Sequence, residues 1–260
     1  MDIKPIRFTL PGAVQGRANA DADTYTPARE TFAALAGEIG SAWRQRFGAA
    51  TTGRDPLALA GTVSEFLRLM QSLDLQYGAE GLLPVQDAGT AVDEAMTSSA
   101  ELEPWLARLE LQHHLPGLQA VQIAFGHWAM IHHLRFTAVA PLVNALARKA
   151  NDAESRQENA AAFAMMQGLV EHLAGDFNAD LDRSNPERPW RLLNLNLAIT
   201  GIRTGDAPMI RHSFERLERH LPDECRGFFE EAMVLAVQPG FPDECRALIE
   251  AGFRRWTTPH

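Results

Sequence analysis

Five of the nine histidines, His113, His114, His127, His132 and His133, fall within a 21-residue stretch, a density that raises the question of metal or haem ligation. Two ligands on one face of an α-helix need a separation of three or four residues. No pair here has it: His127 and His132 are five apart, about 140° around an ideal helix. Glu110 and His113 make one E-x-x-H, whereas a carboxylate-bridged di-iron bundle needs two such motifs and two further glutamates. No second copy follows, so neither a metal site nor a cofactor is expected. A helical metalloprotein or enzyme using residues 113–133 stands as the alternative view of function.

The segment DFNADLDRSNPE has Asp176, Asn178, Asp180, Asp182 and Glu187 at offsets 1, 3, 5, 7 and 12, the oxygen-ligand pattern of an EF-hand calcium loop. Leu181 stands where the sharp turn needs glycine, and Pro186 precedes the last ligand, so a solvated acidic loop is expected instead. Pro-Asp-Glu-Cys-Arg occurs twice, at 222–226 and 242–246. Each copy has proline and carboxylates suited to a first helical turn, and the acidic neighbours disfavour a reactive thiolate at Cys225 or Cys245. The chain contains no G-x-S-x-G, phosphate loop, G-x-G-x-x-G or H-E-x-x-H.

The elements that would position any site are helices. The chain has 40 alanines and 30 leucines against 10 valines and 9 isoleucines, a balance of side chains that lose little freedom in a helix over β-branched ones. An all-α fold is expected. With 24 basic and 33 acidic residues the net charge is −9, and the only lysines, Lys4 and Lys149, are far apart. Nucleic acid and membrane surfaces are therefore not expected as partners. No apolar run follows Met1–Thr9 and none reaches the length of a membrane span. Two cysteines make no disulfide framework, and the expected location is cytoplasmic.

Residues 1–26 are broken by Pro5, Pro11, Gly12 and Gly16, while Ile6, Phe8 and Leu10 alternate as in a short strand; they read as a tail or edge segment. Helical spacing then predicts an amphipathic helix from Thr26 through Phe32, Leu35, Ile39, Trp43 and Phe47. A second starts after Asp55-Pro56. Residues 27–97 form an N-terminal helical region, ending with at most a short helix over about 87–96. Ser98 and Glu101 read as a capping box that opens residues 98–260. Further helices are expected over about 117–134, 136–150, 154–176, 188–203, 207–220, 223–237 and 243–256.

Within this last region, Asn196–Pro222 resembles a tetratricopeptide repeat, carried by Leu197, Ala198, Gly205, Asp206, Phe214 and Pro222. A shift of 34 residues places Phe228 and Ala232 at matching positions, and a shift back of 72, or 34 plus 38, places Phe125-Gly126 there, the unit between, with Phe163 and Ala164, having an Asp/Asn-rich loop in place of its second helix. The resemblance spans about 119–259 and implies a short α-solenoid of stacked helical hairpins. It further implies a non-enzymatic module whose first helices line a groove for a protein or peptide partner. On that placement the groove would present Ile123, His127, Met130, Leu195, Ile199, Arg203, Phe229 and Met233.

Overall fold

The structure is a computed structural model describing residues 24–48, 54–79, 83, 87–173, 188–237 and 240–258. The protein is all-α: among the described residues there are ten α-helices and no strand. No helix among them is long and apolar enough to cross a membrane. The expected edge strand and the calcium-type loop with Asp176, Asn178, Asp180, Asp182 and Glu187 lie outside the described residues. Contacts divide the chain between Ala145 and Leu146 into two units.

The N-terminal unit contains α1 (Thr26–Phe47), α2 (Pro56–Tyr77), α3 (Ala88–Arg108) and α4 (Leu115–Ile131), followed by the first half of α5 (Ala140–Asn151). The Asp55 carboxylate caps α2 by accepting from the backbone N–H groups of Leu57 and Ala58, at 3.0 Å each. Helix α1 packs on α2 and α4, and α3 also packs on α2 and α4, so the four close a ring. Their directions alternate. Arg46, late in α1, bonds the Arg108 carbonyl at the end of α3, and Asp74, late in α2, meets Trp128 and His132 at the end of α4. This is an up-down-up-down bundle, with Phe66 edge-on to Phe125 and Trp128 in its centre.

Two expectations fail here. The break at 97/98 falls inside α3, where Ser98 and Ser99 are both buried. The Ser99 hydroxyl donates to the Met96 carbonyl at 2.7 Å, and Glu101 pairs with Arg54. Neither group caps a helix, because burial between α2 and α4 makes a continuous helix the better solution. The tail expected to reach residue 26 also ends sooner, since Tyr25 is buried in the core.

The C-terminal unit holds the rest of α5 and then α6 (Arg156–Leu173), α7 (Pro189–Thr204), α8 (Ala207–His220), α9 (Pro222–Ala236) and α10 (Asp243–Thr257). Gly205 ends α7 with φ 63°, the left-handed conformation glycine adopts without a Cβ penalty, and Asp206 caps α8 by accepting from Met209 N–H at 2.9 Å. Helix α7 packs on α6 and α8, α9 on α10, and α7 with α9 and α8 with α10 lie alongside each other. Phe214, Phe228 and Phe229 meet edge to face at the centre of this unit.

Candidate functional site

Leu195, Ile199 and Arg203 stand four residues apart on α7 and therefore share one face. Leu195 and Ile199 are half-buried and pack, with Met233 of α9, against the apolar core of the C-terminal unit. Four of the eight expected groove residues are thus brought to one unit with part of their surface open. Phe229 lies in the same unit but is fully buried, its ring against Phe214 and Phe228. It supports the helix pair from within and presents nothing outward.

Ile123, His127 and Met130 belong to the N-terminal unit. Ile123 and His127 are each only 5% exposed, and Met130 is half-buried. The physical reason lies in α4, which is apolar nearly all round and is flanked by α1 and α3. His127 Nδ1 lies 2.9 Å from the Tyr25 hydroxyl, and burial pushes its pKa down. It is a neutral core imidazole bound to a core tyrosine, and neither it nor Ile123 is on an open groove face.

At the Arg203 end of the α7 face lies a half-open pocket of about 290 Å³. Ile202, Leu235 and Phe241 supply its apolar wall, and Arg156, Asn159 and Arg203 its polar groups. Arg203 donates to the Asn151 Oδ1 at 2.6 Å and to the Ala150 carbonyl at 3.2 Å. Both acceptors are neutral, so its positive charge is oriented without being cancelled. Arg156 has no ion-pair partner among the described residues. The side chain of Asn159 is buried, and its amide is oriented by donating to the Ser155 carbonyl at 3.0 Å, which leaves Oδ1 without a hydrogen bond. The set fits a carboxylate near two guanidinium groups and an apolar side chain against the wall.

Sequence spacing identified Arg203 but missed Arg156 and Asn159. They are on α6, more than forty residues earlier, and no periodicity links them to α7. The remaining histidines disperse: His132 Nε2 lies 3.0 Å from Asp74 Oδ1, which also accepts from Trp128 Nε1 at 2.8 Å, while His133 is exposed. His113 and His114 lie beside Glu38 of α1. Cys225 and Cys245 are buried free thiols in the first turns of α9 and α10. Burial, assisted by Glu218, Glu224 and Asp223, pushes the Cys225 pKa up to about 12, and burial also raises that of Cys245. Such thiols are poor nucleophiles. The chain matches no family model, no curated protein and no solved structure.

Proposed function

We propose that the protein is a non-enzymatic binding module whose C-terminal unit, built of tetratricopeptide-like helical hairpins, takes up a segment of a partner protein. Leu195, Ile199 and Met233 form an apolar strip leading to Arg203, and the pocket beyond it receives a carboxylate-bearing residue of the partner. The observation that carries this reading is the pocket itself. It holds two guanidinium groups, those of Arg156 and Arg203, with no ion pair to a carboxylate among the described residues. In a chain of net charge −9, a local basic pocket selects an acidic segment that the rest of the surface repels.

The repeat-like placement finds support in two ion pairs. Arg191 of α7 grips Glu224 of α9 through two bonds of 2.6 and 2.8 Å across 33 residues. Arg211 of α8 lies 3.9 Å from Glu244 of α10, again 244 − 211 = 33 residues apart. The same pair type thus joins the two first helices and the two second helices at one interval, a recurrence in keeping with stacked units.

Selection of displayed random peptides on the immobilised protein tests the reading. Enriched peptides should combine an aspartate or glutamate with apolar residues three or four positions away. Enrichment should vanish in Arg203→Glu and Arg156→Glu while persisting in Arg226→Glu, an exposed arginine of α9 outside the pocket. No enrichment, or enrichment indifferent to the two pocket substitutions, would overturn it.

A further inference from the structure

Glu38, on α1, is half-exposed and faces the short 3-10 turn Gln112–His114 that connects α3 to α4. That turn is held in place by α1 itself. Arg46 bonds the Arg108 carbonyl and pairs with Glu110 at 2.7 Å, and Glu110 takes the left-handed conformation, φ 61°, that turns the chain out of α3. Adjacent residues on a helical turn point about 100–120° apart. His113 and His114 nevertheless converge, with ring centroids 4.2 Å apart and planes at 40°. Their Nε2 atoms lie 3.9 Å from Glu38 Oε2 and 3.0 Å from Glu38 Oε1 respectively, and one donor atom from each of the three residues falls within 4.8 Å of the others.

From this arrangement we infer that Glu38, His113 and His114 form a binding site for a single divalent transition-metal ion of the zinc class. Ligands about 2.0–2.1 Å from a tetrahedral zinc stand about 3.4 Å from one another. The two nitrogen-to-oxygen separations, each to a different Glu38 oxygen, lie on either side of that value, and rotation of the side chains draws the three ligand atoms from within 4.8 Å of one another to that spacing. A simple ion pair explains the cluster less well. His114 Nε2 is shut off from solvent, and although Glu38 is near, it lies off the direction a hydrogen bond needs; the nitrogen has no hydrogen-bond partner. A cation between the rings and the carboxylate satisfies that lone pair. Two imidazoles with one carboxylate favour zinc, copper or nickel over the oxygen-seeking magnesium and calcium. Three protein ligands leave a coordination position open to water or another ligand.

The full-length protein, dialysed free of metal, should bind zinc saturably at one ion per chain in isothermal titration, with no competition from magnesium. Cobalt as a probe should give the visible absorption of a low-symmetry site. Glu38→Gln and His113→Ala change exposed side chains and preserve the fold, so they carry the test even if His114→Ala is destabilised. Each of the three should weaken zinc binding by on the order of tenfold to a hundredfold, with His133→Ala unchanged. Zinc should also raise the melting midpoint of the wild type and of His133→Ala, because it binds the native state and bridges α1 to the connection before α4. Absence of saturable binding, or binding that survives Glu38→Gln and His113→Ala, would overturn the site. Neither outcome bears on the peptide pocket, which lies in the other unit.

Discussion

The two units use the same element in opposite ways. In the N-terminal unit α1, α2, α3 and α4 close a ring, so each inward face is covered from two sides and even polar groups are taken inside, as with Asp74 between Trp128 and His132. In the C-terminal unit each helix leans on the next from α6 through α10, α7 also on α9 and α8 also on α10, and among the described residues α6 does not pack along α10. Leu195, Ile199, Met233, Phe253 and Trp256 therefore remain only partly buried against its core. Closure does not remove every apolar side chain from the surface, since Phe47, Leu69, Leu75 and Tyr77 stay exposed on the ring and Val234 and Val237 on the series. What sets the series apart is the pocket with Arg156, Asn159 and Arg203 beside those partly buried side chains.

The largest expected effect is in the ring. Trp128→Ala removes a fully buried side chain and leaves Asp74 without an indole donor, at a cost of about 3–5 kcal/mol. Hydrogen exchange should show α1 to α4 losing protection together; loosening confined to α4 would show that the ring is not one cooperative element. In the open series, Ala198→Leu forces extra methylenes into a fully buried position, for about 1–3 kcal/mol. Gly252→Ala drives a Cβ into the Phe229 ring and should cost a similar amount. Protection should fall in α7 to α10 while α1 to α4 stay protected. Ala247→Leu, on an exposed position of α10, should be neutral within about 0.5 kcal/mol.

Acid should separate the units further. The pKa of His127 is lowered by burial from 6.5, so the unfolded chain binds the proton more readily than the native one. The stability this contributes is present above 6.5 and is lost as pH falls below it. Thermal melts across that range should show the wild type losing more than His127→Gln; equal losses would mean the imidazole is accessible. The smallest effect is at Glu224, whose pKa the hydrogen bonds from Arg191 lower from 4.5. Its contribution is likewise present above that value and lost below it, and Glu224→Gln should cost no more than about 1 kcal/mol near neutrality. Urea melts should show the two proteins converging as pH drops through 4.5.

Helix positions were legible in the sequence because their determinants are local. The helix expected over 207–220 is observed as Ala207–His220, and that expected over 188–203 as Pro189–Thr204, since Pro189, Gly205 and Asp206 act on backbone groups within a few residues. The same locality placed Cys225 and Cys245 in first turns. It misled at Ser98, where a capping signal was outweighed by the burial of a longer helix between α2 and α4.

By itself, then, the sequence determined an all-α chain, most of its helix ends and one line of side chains on α7, all properties of spacing along a single helix. Only tertiary structure decided which helices close a ring and which remain a series, and with that the burial of Ile123, His127 and Phe229. It alone joined Arg156 and Asn159 to Arg203, and Glu38 to His113 and His114. Residues more than forty positions apart meet through the packing of whole helices, which depends on the apolar faces of every element at once and leaves no interval between the partners to be read.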